Sequence, residues 1–352
     1  MRHMEKAKSD IRRIDDNIIE LIGERLKRSK EIGMIKAERL EGVRDMEAEM
    51  AMVDRFRTMA EMVGLHPDAA EDICRIIIEQ TTSVQASIPR RPADKKTIAI
   101  IGGEGKMGKM MRRLFERSEH DVISIDPVMK GGLRLENASA ADVVIVSVPI
   151  SSVSDTLRSL DRVCKEDALI FDISSLKSPF IDVLKEMGHR RKVCSAHPMF
   201  GPSVRSMHGR NLVICDCGSK AAVKEAADLM RDQGANMKTM DVDEHDRFMS
   251  YVLGLSHIVN IAFFTVLERS GISFRELCSV GSTTFDKMVD TNMSVALEDP
   301  YLYYEIQHLN TNRDRMLDEL SGAIHDVAEA AVSRDAASFK ELMIRGREYF
   351  EE

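Results

Sequence analysis

A chain of 352 residues with an apolar share of 43% is long enough for two or three domains with real cores. Its 50 basic and 58 acidic residues are interspersed and leave a formal net charge of −8, so nothing in the electrostatics calls for a nucleic acid or a polyanionic surface as partner. Six scattered cysteines make no disulfide framework, Met1–Lys8 is charged rather than signal-like, and no unbroken run of about eighteen apolar residues is present to cross a membrane. A soluble, cytoplasmic protein is expected.

From Glu5 to about Glu38, Ile11, Ile14, Ile18, Leu21, Ile22 and Arg25 recur at three- and four-residue steps without an intervening proline. The spacing predicts one helix about 50 Å long. In a small domain such a helix implies a second chain packed against it. A second helix is expected from about Asp45, as N-cap, to Met62, and a third from about Asp68 to Ala86 after the break at Gly64–Pro67. Arg25, Lys36 and Gln85 interrupt the apolar stripes, and singly each reads as a solvated face. Together they join Ile14-Asp15, Ile32-Gly33, Val43-Arg44-Asp45 and Glu49 in a motif series, and on these residues the module 1–87 resembles the all-helical chorismate mutase family. The resemblance implies a pericyclic rearrangement of chorismate to prephenate, which needs no nucleophile or base, only a compact dianion and stabilisation of the breaking ether bond. It assigns Arg25 to a substrate carboxylate, Lys36 and Gln85 to the ether oxygen, and Asp45 and Glu49 to the ring hydroxyl. Thr81 takes the place of the usual serine. Lys8, where arginine is commoner, would reach into the partner subunit's site, and Ala48 stands where many members carry arginine.

Residues 88–96, rich in proline and charge, read as a linker. At 97–108 a β-branched run ends in Gly103, Gly105 and Gly108, the G-x-G-x-x-G spacing of a Rossmann-type dinucleotide loop with Lys106 and Met107 in its helical start. Gly103 is expected to make the tight turn, Gly105 to admit the pyrophosphate and Gly108 to let the next helix (about Met107–Arg117) pack on the strand. The strand Asp121–Asp126 ends in an acid 23 positions after Gly103, placed to take the ribose hydroxyls and to favour NAD over NADP. Asp142–Pro149 and Ala168–Ile173 are continuous apolar runs, as parallel strands buried on both faces would be, and their ends put Ser147, Pro149, Ser174, Ser175 and Lys177 at the crevice. Cys215 and Cys217 form a lone C-x-C read as ordinary packing, and no metal site is expected.

A histidine ending a strand in such a fold can take or polarise a hydroxyl proton during hydride transfer. His197 does so within H-P-M-F-G-P, and this string, with G-G-x-G-x-M-G at 102–108, V-S-V-P at 146–149, D-I-S-S-L-K at 172–177, E-H-D at 244–246, His257 and E-D-P-Y-L-Y at 298–303, resembles the prephenate dehydrogenase family, especially members fused behind a mutase. The resemblance implies NAD-dependent oxidative decarboxylation, with His197 on the hydroxyl proton, and Ser175 and His257 around substrate and nicotinamide. His245 is assigned to structure. Ser294 stands where the family usually has the arginine for the ring carboxylate; Lys287, Arg205 and Arg210 are the candidate replacements, and arogenate is an alternative substrate. Residues 243–352 are expected to be helical throughout (Arg247–Arg269, Phe274–Met293, Pro300–Val332, Asp335–Phe350), with Tyr251–Val266 buried across a dimer interface. The whole reads as multidomain α and α/β: a mutase domain (1–87), a Rossmann-type domain (97–242) and a helical substrate and dimerisation domain (243–352). The function expected is that of a bifunctional homodimeric enzyme of tyrosine biosynthesis acting on chorismate and prephenate, with tyrosine as the feedback ligand if one exists. Two alternatives remain: a dehydrogenase whose mutase module only dimerises, and a non-catalytic NAD-binding sensor.

Overall fold

The computed structural model describes residues 2–39, 45–86, 88, 94–126, 132–204, 207, 209–231, 234–333 and 336–351. Val43, Arg44, most of the linker and Arg205 lie outside the described residues. The chain folds as two units, Met1–Ser174 with Asp182–Met240, and Ser175–Ile181 with Asp241–Glu352.

The first unit opens with three helices: α1 (Arg2–Glu38), α2 (Met46–Val63) and α3 (Pro67–Ala86). Asp45 caps α2 as expected, its carboxylate accepting the Ala48 N–H at 3.0 Å, and Gly64 ends the helix at φ 72°. Helix α3 packs against both others. The α1 stripe stays bare within one chain: Ile11, Ile14, Ile18 and Leu21 are each about half exposed or more.

The sheet follows: β1 (Thr97–Ile101), α4 (Lys106–Arg117), β2 (Asp121–Ile125), a 3₁₀ turn, β3 (Val143–Val146), α5 (Ile150–Val163), β4 (Leu169–Asp172), α6 (Ile181–Gly188), β5 (Val193–Pro198), β6 (Asn211–Asp216), α7 (Lys220–Arg231) and β7 (Asn236–Asp241). Its order is β2-β1-β3-β4-β5-β6-β7, with β2 through β5 parallel and β6 antiparallel to β5. Order reverses at β1, whose neighbours β2 and β3 lie on opposite sides. Such a reversal opens a crevice beyond the strands' carboxyl ends, which is where α/β sheets bind ligands. The apolar runs read as strands form the core: Ile98, Ile100, Val143, Ile145, Leu169 and Phe171 pack with Met110, Met111, Leu114 and Phe115 of α4. Cys215 and Cys217 are buried, as packing residues would be.

The second unit is helical: α8 (Val242–Met249), a π turn (Ser250–Leu255), α9 (Ser256–Arg269), α10 (Phe274–Ser279), α11 (Thr283–Ala296), α12 (Pro300–Leu309), α13 (Arg313–Val332) and α14 (Ala336–Glu351). One expectation needs correction. The helix read over 300–332 breaks at Asn310, whose amide donates to the Asp246 carbonyl (3.0 Å) and accepts from the Asn312 N–H (2.8 Å), so its side chain competes with the helix backbone. Helix α9 has no fully buried residue within one chain, and the burial expected for Tyr251–Val266 is across a dimer interface. Val242–Arg269 is long and apolar enough, by length and composition only, to cross a membrane. No unbroken run marks it in the sequence, because Ser250, Ser256, His257 and Asn260 interrupt the apolar residues.

Candidate active sites

A cavity of about 300 Å³ in the helical module is lined by Arg25, Lys36, Asp45, Ala48, Glu49, Thr81 and Gln85. The motif steps read along three helices thus converge on one space. Gln85 is buried (7% exposed) and Arg25, Lys36, Glu49 and Thr81 are half-buried. The Arg25 guanidinium donates to the Thr81 hydroxyl and lies 3.2 Å from the Met52 sulfur. Burial lowers the Arg25 pKa, with Arg55 adding to the effect and Cys74 opposing it. Thr81 in turn donates to the Ile77 carbonyl at 2.7 Å, which fixes its oxygen toward Arg25. Gly33 explains how α1 reaches the end of α3. A Cβ there would stand 2.4 Å from the Ile88 Cδ1, 3.0 Å from the Gln85 Cγ and 3.2 Å from the Gln85 Cα, so glycine at 33 eases the close approach of α1 to the end of α3. Lys8 is not among the cavity-lining residues; it is exposed near the start of α1, 3.2 Å from Glu5.

The glycine loop of the first unit differs from expectation in one respect. The tight turn is made by Gly102, at φ 79°, not by Gly103. The Gly102 N–H donates to the Ile125 carbonyl (2.8 Å), and a Cβ on Gly102 would lie 2.3 Å from the Ser147 carbonyl oxygen. The turn, β2 and the end of β3 are therefore locked together. Gly102→Ala is expected to cost a few kcal/mol, from the left-handed conformation and the backbone clash together. Dinucleotide titration should show at least tenfold weaker binding, and binding unchanged in a folded variant would rule the turn out as a determinant. Gly105 is the N-cap of α4, and a Cβ on Gly108 would strike the Gly102 carbonyl at 2.3 Å. Exposed Lys106 and half-buried Met107 open the helix. A strand, a glycine turn and a helix N-terminus capped by a glycine form a cradle that fits a pyrophosphate.

Asp126 follows β2, buried to 8% exposure, and its carboxylate accepts the Glu104 N–H at 3.1 Å. Ser147 and Pro149, the N-cap of α5, follow β3 at the same edge, with the Ser147 N–H on the Ile101 carbonyl (2.8 Å). Sequence reading passed over Glu104. Its carboxylate takes the Ser124 hydroxyl (3.0 Å) and Arg112 (3.0 Å), with Lys109 at 3.5 Å; the Ser124 bond and these cations hold its pKa below the usual range. An acid beside an anion cradle is thereby neutralised by its own neighbours.

His197 lies on β5 with 3% exposure, paired with Val213 of β6. Two residues earlier on the strand, the Ser195 hydroxyl donates to the buried Asp172 carboxylate of β4, which also accepts the Ser174 N–H at 2.9 Å. That tie fixes β5 against β4 just before the histidine.

In the second unit, Ser175 is half-buried on a short strap, Ser175–Ile181, which joins the helical unit although its sequence lies between β4 and α6. Asp246 of α8 receives the strap: its carboxylate accepts the Lys177 N–H (2.9 and 3.0 Å), the Ser178 N–H (2.6 Å) and the Ser178 hydroxyl, and the His245 Nδ1 lies at 2.6 Å. Burial pushes the Asp246 pKa up, but the bonds from His245 and Ser178 outweigh it and leave the carboxyl below its ordinary value. His245 is fully buried, in line with its structural assignment.

His257 of α9 stacks on Tyr303 of α12, centroids 4.0 Å apart and 20° from parallel. Its Nδ1 is buried with no hydrogen-bond partner among the described residues. Burial lowers its pKa from 6.5 to about 4. The unfolded chain therefore takes up this proton first, so this group withdraws stability as pH falls from about 6.5 towards about 4. At neutral pH the ring is uncharged and can donate or accept a hydrogen bond but cannot neutralise a carboxylate. Tyr303 was legible as the last residue of E-D-P-Y-L-Y, and Asp246 as the last of E-H-D, yet neither received a role from sequence.

The missing ring-carboxylate arginine is not replaced by any of its candidates in a way the geometry marks out. Ser294 is exposed on α11, its hydroxyl turned back to the Thr291 carbonyl (2.7 Å). Lys287 is exposed on the same helix. Arg210 pairs with Glu79 of α3 at 3.1 Å.

Comparison with known proteins adds to this geometry. The family model for chorismate mutase type II matches residues 8–86, that for the nucleotide-binding domain of prephenate dehydrogenase residues 124–239, and that for the prephenate dehydrogenase dimerization domain residues 241–345. The chain is 25% identical to a T-protein of Haemophilus influenzae over 353 aligned positions, covering 99% of this chain and 93% of the relative. It is 25% identical to a T-protein of Enterobacter agglomerans over 296 positions, covering 83% and 78%. In fold, 74% of this chain superposes on 99% of the A. aeolicus prephenate dehydrogenase crystallised with hydroxyphenyl propionate and NAD+, with a TM-score of 0.59 at 17% identity. The chain therefore belongs to the family in which a type II chorismate mutase and a prephenate dehydrogenase are joined in one polypeptide.

Proposed function

We infer that the chain converts chorismate to prephenate in the helical module and oxidises prephenate to 4-hydroxyphenylpyruvate in the remainder, serving tyrosine synthesis in the cytoplasm. The observation that carries the mutase half is the single cavity assembled from Arg25, Lys36, Glu49, Thr81 and Gln85. Arg25 holds a carboxylate, while Lys36 and Gln85 donate to the ether oxygen as its bond to the ring breaks and negative charge builds there. Asp45 and Glu49 orient the ring hydroxyl, and Lys8 of a partner subunit supplies a further cation.

For the second reaction, the glycine cradle and Asp126 hold NAD, whose nicotinamide supplies the hydride acceptor. His197 takes the proton of the ring hydroxyl as its carbon gives up hydride. The ring carboxylate then leaves as CO₂, its bonding electrons aromatise the ring, and the proton returns to the phenolate oxygen. Ser175 and neutral His257 position the substrate by hydrogen bonds. The choice of NAD rests on Asp126: Asp126→Ser keeps an acceptor for the Glu104 N–H but removes the charge that repels a 2′-phosphate. Its NADP/NAD ratio of kcat/KM should rise at least tenfold, and an unchanged ratio would discard this basis for selectivity.

The bare α1 stripe and an α9 without a fully buried residue support a homodimer in a chain that matches a dimerization-domain family model. The direct test of the whole reading uses the pure protein. Chorismate should disappear without NAD, and NADH with 4-hydroxyphenylpyruvate should appear once NAD is added. No turnover of chorismate, with prephenate oxidised normally, would leave the helical module a dimerisation arm. No turnover of either substrate would leave only a nucleotide-binding sensor.

A further inference from the structure

We propose that Asp246 is a positioning residue for the dehydrogenase reaction, holding the Ser175 strap in its working shape. The proposal rests on the reading above that Ser175 touches the substrate. Four donors from three residues converge on this one carboxylate: the Lys177 and Ser178 N–H groups, the Ser178 hydroxyl and His245. Asp246 is 5% exposed, and Lys177, whose backbone it holds, is fully buried. The bonded N–H groups begin two residues after Ser175, within one turn of chain, so the carboxylate sets the path of the strap just beyond Ser175. The Asp246 residue is itself fixed from the other side, because its own carbonyl accepts the Asn310 amide at 3.0 Å where α12 ends. The break at Asn310 thus has a purpose in this arrangement: it brings an amide to the back of the residue that grips the strap. Charge-assisted bonds to backbone N–H groups are the strong kind and are specific in direction. An asparagine at 246 would remove the charge that strengthens all four bonds and would set an NH₂ group where one carboxylate oxygen now accepts from Lys177 and His245.

Asp246→Asn is expected to raise the KM for prephenate at least tenfold, with the KM for NAD changed less than twofold and the mutase rate untouched. Ser178→Ala, which deletes one donor and keeps the packing, should shift the prephenate KM in the same direction by about threefold; it carries the test if Asp246→Asn does not fold. A purely structural role would lower stability without this selective effect. The deciding measurement is a double-mutant cycle with Ser175→Ala. If Asp246 acts through Ser175, the double variant (or Ser178→Ala with Ser175→Ala) is no worse in prephenate KM than the worse single variant. Additive losses would overturn the positioning role and leave Ser175 as a substrate contact. A Ser175→Ala variant with an unchanged prephenate KM would instead refute the placement of Ser175 at the substrate, and the proposal with it.

Discussion

His197→Asn is expected to lower the rate of prephenate oxidation by about 10²–10⁴-fold, the range in which loss of a positioned acid–base group falls. Binding of NAD and the mutase rate should be unchanged. The variant is well suited to this site. Asparagine nearly matches the histidine in reach and keeps a hydrogen-bonding side chain at a position with 3% exposure, but it cannot accept a proton. The strand does not depend on the imidazole for its place, because the Ser195–Asp172 bond and the pairing with β6 hold β5 from both edges. The measurement is NADH formation at saturating prephenate and NAD, with dinucleotide affinity determined separately. A rate within threefold of the parent enzyme would remove His197 from the proton-transfer step.

Lys36→Ala should lower the mutase rate by about 10²–10³-fold, the loss seen when one donor to a developing oxyanion is removed. Prephenate supplied directly should still be oxidised at the normal rate, which separates a local effect from misfolding. Lys36 is half-buried on α1 beside buried Gln85, so alanine leaves the ether oxygen with one donor where two are proposed. Lys36→Arg keeps the charge in a wider fork that the cavity of about 300 Å³ has little room to admit, and partial activity is expected. If Lys36→Ala retained more than a tenth of the parental rate, the ether-oxygen role would pass to Gln85 alone.

How much of this was legible in the sequence depended on the range of the contact. The three helices, the glycine loop and the parallel strands follow from periodicity and continuous apolar runs, which are local signals. The convergence of Arg25, Lys36, Thr81 and Gln85 came through the resemblance to a known family, since taken singly these residues read as solvated helix faces. The turn residue did not: Gly102 and Gly103 are adjacent, and only the approach of the Ser147 carbonyl decides which one takes the positive φ. The break at Asn310 was equally hidden, since its amide is drawn out of the helix by a carbonyl 64 residues away. Tyr303 and Asp246 sat inside recognised strings, yet their work consists of one stacking contact and one set of bonds across long sequence gaps.

The strap at Ser175–Ile181 has a consequence for how the protein is made. Its holder, Asp246, is encoded 69 residues after Lys177. At a ribosome's pace of about 5–20 residues per second, the strap waits roughly 3–14 s before its anchor is synthesised. Through that interval the strap that carries Ser175 exists without the carboxylate that shapes it. A nascent chain halted before α8 should therefore be cut in the strap by a protease that leaves the finished protein intact there.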